Sequence, residues 1–396
     1  AAAGGPLLLV RDTLEGLQGL GAAARARSAA RIAAVTGSVG KTGVKEALAL
    51  VLGRQAETHA SLGNLNNHWG APLSLARLAP AARYGIFELG MNHAGEIAPL
   101  SRLVRPHVAV ITTIAPAHAA HFPSVEAIAD AKAEIFAGVE AGGVAVLNRD
   151  NPYFERLADA ARRAGIDSIL GFGADPSADA RLVGASRQAT GSDVEAEIAG
   201  RRLAFRIGAP GAHWVANSLA VLAAVHALGA DVAAAAAALA DMRAPGGRGR
   251  RHCIRLEAGS FTLIDESYNA SPAAMRAALE VLSLTRPGPG GRRIAILGDM
   301  LELGADAPRL HAELADEIGR CDVDLVYATG AGMAHLYRAL PPPRRGGHAE
   351  DSAALAPVIA SVVRAGDIVL VKGSLGMNMA RIVRALAPGG ARGDGG

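Results

Sequence analysis

Sulfur and aromatic side chains are scarce in this chain of 396 residues. It holds two cysteines, Cys253 and Cys321, and only 4% of its residues are Phe, Trp or Tyr. Two thiols at unrelated positions give no metal-ligand spacing and no disulfide framework, and they fit a reducing compartment. With so few rings, the cores must be built from Ala, Val, Leu and Ile, which suits parallel sheets covered by Ala-rich helices. No apolar run reaches the ~18 residues of a membrane-spanning helix. The tract VAAAAAALA at 232–240 is short and reads as a packed or surface helix. PLLLV near the N-terminus runs straight into Arg11 and Asp12, the wrong context for a secretory leader. Charge of one sign is also lacking. The formal net charge is +3, and the basic residues are scattered except in GRGRRH at 247–252, so a nucleic-acid-binding stripe is not supported. A soluble, cytoplasmic protein is the reading these absences leave; a monomer is expected.

What is present is a repeated β/α alternation. LEGLQGLGAAARAR, within 11–30, has helical spacing. RIAAVTGS reads as a short buried strand entering a glycine turn, and TGVKEALALVLGR as a helix with Val44, Leu48 and Val51 or Leu52 on one face. Strands at 84–90, 108–114 and 143–148, each beside a helical segment, predict a mostly parallel α/β sheet. Residues 180–210 alternate more and hold several turn residues, which predicts a small antiparallel patch appended to the sheet, followed by a helix at 213–229. Pro, Gly and Arg concentrate in RAPGGRGRRH at 243–252, the expected domain boundary. Beyond it FTLIDES, RRIAILGDM, VDLVYATG and DIVLVKGS restart the alternation, as a domain of roughly 150 residues would. The predicted organisation is a remnant or linker helix at 1–30, a central P-loop-type domain at 31–245 with helices on both faces of a mostly parallel sheet, and a Rossmann-like doubly wound α/β domain at 246–396.

TGSVGKT, residues 36–42, has the Gly-Lys-Thr of a phosphate-binding loop, but Val35 stands where the longer pattern carries its first glycine. Gly37 can make the tight turn instead. A glycine-led helix N-terminus offers unpaired N–H groups and the positive end of the helix dipole to a phosphate. Lys41 would add a cation for the β- and γ-phosphates and the Thr42 hydroxyl a ligand for Mg²⁺. A Gly-rich turn with an exposed lysine would have the same spacing. The company favours the nucleotide: Glu88 closes one predicted strand, and His118 and His121 follow the next, at the edge where open α/β sheets bind ligands.

A resemblance covers nearly the whole chain from about residue 5, carried by the phosphate loop and nine motifs in order after it. After the phosphate loop come GNLNNHWGAP (63–72), ELGMNHAGEI (88–97), APAHAAHF (115–122), AKAEIF (131–136), HWVAN (213–217), GRGRRH (247–252), DESYNASP (265–272), LGDMLELG (297–304) and VKGS (371–374). In this order they resemble the Mur ligase family, whose phosphate loop lacks the leading glycine. The resemblance implies ATP-driven amide formation in peptidoglycan precursor synthesis. The γ-phosphate of ATP passes to the terminal carboxylate of a UDP-N-acetylmuramoyl-tripeptide, and the amine of D-alanyl-D-alanine then displaces phosphate from the acyl phosphate.

The matches also imply roles. Gly37, Ser38, Gly40 and Lys41 cradle the phosphates; Thr42 and Glu88 ligate Mg²⁺; His118 ligates a second Mg²⁺ together with Lys132, if Lys132 is carbamylated. Without the family, Lys132 reads as an ordinary surface helix lysine. His213 and Asn217, four apart on one helix face, meet adenine in the family, though capping or packing would explain them equally from spacing. Arg248 reaches the ATP phosphates from the boundary, with Arg250 and Arg251 peripheral. Asp265 meets the ribose. Asn64, Asn66, Asn67, Asn269 and Ser271 serve the peptide substrates, and Lys372 and Ser374 a phosphate or carboxylate. Lys41, Lys132, His118 and Arg248 form the implied catalytic set.

Two departures from the family pattern stand out. Only about thirty residues precede the phosphate loop, where such ligases carry a UDP-binding domain of roughly a hundred. Leu375 follows Lys-Gly-Ser where many relatives have Arg. Two other readings therefore remain: a nucleotide-binding fragment without ligase activity of its own, and a sister Mur or folylpolyglutamate-type ligase. GNLNN, DESYNASP and LGDMLELG favour the dipeptide-adding enzyme over the sisters.

Overall fold

The computed structural model describes residues 9–116 and 122–387. Among these, nine strands form one sheet: β1 (Arg31–Thr36), β2 (Thr58–Ala60), β3 (Tyr84–Glu88), β4 (Val108–Ile111), β5 (Val144–Asn148), β6 (Ser168–Gly173), β7 (Ala180–Gln188), β8 (Gly191–Ile198) and β9 (Arg201–Ile207). Their order is β2-β3-β1-β4-β5-β6-β7-β8-β9. Pairing is parallel from β2 to β7 and antiparallel along β7, β8 and β9. The helices are α1 (Thr13–Arg27), α2 (Lys41–Gly53), α3 (Gly70–Ala76), α4 (Ile97–Val104), α5 (Val125–Ala133), α6 (Phe154–Arg163), α7 (Ala212–Ala227) and α8 (Val232–Ala238).

The strands are apolar on both faces, as sandwiched parallel strands require. In β1, Ala33 and Val35 pack with α2, α7 and α8, whereas Ile32 and Ala34 pack with α3, α4, α5 and α6. The helix predicted in 11–30 packs on α3 and α4 rather than hanging as a linker. Its Arg25 is buried and donates to Val104 O and Arg105 O, satisfying carbonyls at the end of α4.

A second sheet holds β10 (Arg250–Leu256), β11 (Gly259–Glu266), β12 (Arg293–Gly298), β13 (Leu325–Thr329), β14 (Arg345–Ala349) and β15 (Ile368–Lys372), in the order β10-β11-β15-β12-β13-β14. All pairs are parallel except β10 with β11. Helix α9 (Pro272–Leu284) carries the crossover from β11 to β12. Ile264, Ala295 and Leu297 face α9, while Leu263, Ile294 and Ile296 face the opposite core.

The sheets are joined through residues 242–249 and also by side chains. Arg251 donates to Ala189 O at 2.6 Å, in the turn between β7 and β8, and to Thr285 Oγ1 at 3.2 Å; Arg187 pairs with Glu280 on α9. Arg251 thus has a structural place, whatever its distance from the phosphates. It is half-buried between the antiparallel ribbon and the second domain, and burial lowers its pKa.

Candidate functional site

The site is built where the parallel strands end. β1 stops at Thr36 and the chain turns through Gly37 (φ +141°) and Gly40 (φ +91°) into α2. A Cβ on Gly37 would lie 2.0 Å from Thr112 Oγ1, so this turn takes no side chain. Gly40 is pressed by α7: a Cβ there would meet Asn217 Oδ1 at 2.8 Å, and one on Gly43 would meet the Trp214 ring at 3.0 Å. Ser38 is spent on the neighbouring loop, its hydroxyl donating to Ala115 O at 2.9 Å and accepting from Ala115 N at 3.1 Å. The Lys41 ammonium folds back onto the loop, donating to Gly37 O at 2.5 Å. Burial pushes its pKa below the ordinary lysine range; Glu88 opposes that fall and Arg248 adds to it. An incoming phosphate would offer this cation a stronger partner than a neutral carbonyl.

Glu88 ends β3, paired through its Cα with Val35 of β1, and is 2% exposed. Its Oε1 accepts from Asn66 Nδ2 at 2.7 Å, but Oε2 is buried without a hydrogen-bond partner. An orphaned carboxylate oxygen is costly unless something fills it. Among the described residues no three His, Cys, Asp or Glu side chains cluster as a ligand set. Mg²⁺ is usually held by one or two protein oxygens together with phosphate oxygens and water. The free Glu88 oxygen and Thr42, buried in the first turn of α2, fit that donor set.

Lys132, in the last turn of α5, is 1% exposed, which overturns the reading of it as a surface lysine. Burial, then the like charge of Lys41, hold its pKa well below the ordinary value, against the pull of Glu134, Glu88 and Glu96. His118 and His121 lie outside the described residues.

From the second domain, the Arg248 guanidinium stacks over the Tyr268 ring at 4.1 Å, and its charge is felt by Lys41 across the cleft. Asp265 anchors the same corner. Its Oδ2 accepts from Gly247 N at 3.1 Å, and its Oδ1 from Ser267 Oγ at 2.6 Å and Ser267 N at 3.1 Å. His213 opens α7 beside Gly211; its Nδ1 is buried without a partner, and burial lowers its pKa.

Several residues of the implied substrate set also have internal partners. Lys372 is buried and donates to Glu266 Oε2 at 3.1 Å and Asn269 O at 2.9 Å, and so holds the loop after β11. Ser374 Oγ accepts from Leu301 N at 2.9 Å. Ser271 caps α9, accepting from Ala274 N at 3.3 Å. Asn269 Oδ1 accepts from Ala270 N. Asn67 Oδ1 accepts from Trp69 N and Gly70 N at the start of α3. Asn64 sits exposed on the loop, its carbonyl accepting from Asn66 N. Leu375, where the family pattern has Arg, stands 62% exposed. Polar residues at loop starts cap helices as readily as they bind ligands, and sequence alone does not separate the two.

The sequence gives no sign of a structural or functional part for Lys45, Glu266, Tyr268 and Arg251, because a lysine in a helix or an arginine in a basic run usually reads as solvated. Burial of Lys45 shows in no local pattern; only the neighbouring chain supplies it.

A glycine-turned phosphate loop, a buried carboxylate with a free oxygen and an arginine reaching in from a second α/β domain define a two-domain, nucleotide-using enzyme. The sequence profile of the Mur ligase middle domain matches residues 35–225, and that of the Mur ligase glutamate ligase domain matches residues 247–375. The chain belongs to the Mur ligase family. It is similar to the UDP-N-acetylmuramoyl-tripeptide–D-alanyl-D-alanine ligases of Rickettsia prowazekii (34% identity, 95% of this chain and 82% of the relative) and Escherichia coli (34%, 97% and 83%). A crystal structure of MurF from Acinetobacter baumannii superposes with a TM-score of 0.85 at 29% identity, over 96% of this chain and 82% of that one.

Proposed function

We propose that the protein is an ATP-dependent amide ligase joining D-alanyl-D-alanine to UDP-N-acetylmuramoyl-tripeptide through an acyl phosphate. The observation that carries this reading is that the phosphate-loop Lys41 feels the charges of both Glu88, at the end of β3, and Arg248, from the second domain, in a chain whose 34%-identical relatives bear that ligase's name. A carboxylate oxygen of the tripeptide attacks the γ-phosphorus and ADP leaves. The amine nitrogen then attacks the acyl carbon, loses a proton, and phosphate departs with the oxygen it received. Most of the acceleration in such a transfer comes from positioning and charge stabilisation.

Mg²⁺ held by Thr42, Glu88 and the phosphates would neutralise charge between the two anions. Lys41 exchanges its loop carbonyls for the β- and γ-phosphates. Arg248, steered by Tyr268, adds positive charge from the second domain. Lys132 supports a carbamate, because a depressed pKa leaves the neutral amine that CO₂ needs. The N–C bond forms, one proton leaves, and a buried neutral amine becomes an anion whose charge Lys41 would favour. His213 Nδ1 and Asn217 would face adenine, and Asn64 and Asn66 the peptide. Asp265, whose two oxygens already accept hydrogen bonds, would meet the ribose through remaining lone pairs. The domains divide at residue 245, between the 3-10 turn Leu239–Asp241 and β10. A cytoplasmic monomer fits the use of ATP, and no described helix is long and apolar enough to cross a membrane.

Phosphate release from Mg-ATP, with each substrate alone and with both, tests the reading. Release that needs both is expected. Release equal with either one, or none while nucleotide still binds, contradicts it.

A further inference from the structure

Lys45 lies one helical turn beyond Lys41 on α2, is 0% exposed, and has no part in the chemistry above. A buried ammonium is costly unless its protons are used. Lys45 Nζ donates to Ser61 O at 2.8 Å and Gly63 O at 3.1 Å, and pairs with the part-exposed Glu46 at 2.6 Å. Both carbonyls belong to the loop between β2 and α3. That loop is in turn laced to the end of β3. Ser61 Oγ accepts from Glu88 N at 3.0 Å, Asn66 Nδ2 donates to Glu88 Oε1 at 2.7 Å, and Asn66 O accepts from Gly90 N at 2.9 Å. A buried cation on the nucleotide helix thus fixes the segment that orients the Glu88 carboxylate and leaves its Oε2 free.

We propose that Lys45 is a positioning residue that sets loop 61–69, and through Asn66 the Glu88 carboxylate, against the phosphate loop for a divalent cation bound with nucleotide. The proposal rests on the reading of Glu88 as a cation ligand, and its test separates the two.

The experiment is calorimetric binding of ADP, with and without Mg²⁺, to the parent, Lys45→Met and Glu88→Gln, with thermal melts alongside. Lys45→Met is expected to bind ADP alone as the parent does and to lose on the order of tenfold of the Mg²⁺-dependent gain in affinity, as when the partner of a metal ligand is removed. Glu88→Gln should lose at least as much. Loss in Glu88→Gln with full retention in Lys45→Met, whatever its melting temperature, overturns the positioning role. Retention in Glu88→Gln overturns the cation reading and the positioning role with it. Should Lys45→Met not fold, Lys45→Gln keeps a donor for Ser61 O; it is expected to lose part of the gain, and full retention there overturns the proposal.

Discussion

Lys132→Met is the perturbation whose outcome follows most directly from burial. In the parent, a lysine that is 1% exposed titrates well below its ordinary value because burial, and next the Lys41 charge, disfavour the ammonium. The unfolded chain then holds a proton that the folded chain does not, over the pH range from the depressed folded pKa up to about 10.4, the unperturbed lysine value. Stability must rise with pH through that window, by up to about 1.4 kcal/mol per unit, and level off above it. Methionine has nothing to titrate, so this slope disappears in the variant, and the variant gains on the parent as the pH falls. Urea unfolding from pH 7 to 9.5 in CO₂-free buffer measures it, since the other titrating groups are common to both chains and cancel in the difference. Bicarbonate added near neutral pH should raise the stability of the parent alone, because the carbamate gives the buried nitrogen an anionic group to set beside Lys41. Parallel stability curves for parent and variant, with no response to bicarbonate, would refute the reasoning.

Lys41→Ala should abolish ATP-dependent phosphate release and weaken Mg-ATP binding while leaving the melting temperature within a few degrees of the parent; unchanged turnover would remove the phosphate-loop assignment. Gly37→Ala places a methyl against Thr112 in a backbone conformation that L-residues rarely adopt, and should weaken nucleotide binding by tenfold or more, about 1.4 kcal/mol, read by calorimetry. Arg251→Ala leaves Ala189 O without its partner between the domains and should cost about 1–3 kcal/mol in urea unfolding. Ser271→Ala removes the cap of α9 and should cost about 1 kcal/mol in urea unfolding; a KM unchanged for both substrates would mark Ser271 as a cap alone, and a large KM rise would mark a substrate contact.

The α/β architecture was legible because its signals are local. Strands such as RIAAVT and RIAILG are short and apolar on both faces, and glycine turns follow them. The antiparallel ribbon was legible from the change of period at 180–210. Harder were the places where one residue type serves two ends. Asn67 and Ser271 cap helices, and Lys372 neutralises Glu266, yet each reads in sequence as a polar group near a binding loop. Lys132 and Lys45 carried the opposite ambiguity. Helical spacing puts either on a face, but only tertiary packing decides that the face is buried. Arg251 looked like one more arginine in a basic run until the turn at Ala189 folded over it.

Oxygen transfer tests the central claim most directly. The tripeptide would carry ¹⁸O in its terminal carboxylate, and the phosphate released on amide formation would be analysed by mass spectrometry. Attack of that carboxylate on the γ-phosphorus predicts one ¹⁸O in each phosphate, appearing only when D-alanyl-D-alanine is also present and in step with the amide product. Unlabelled phosphate accompanying the same product would contradict the acyl-phosphate route, and labelled amide with no phosphate release at all would contradict a ligase driven by ATP.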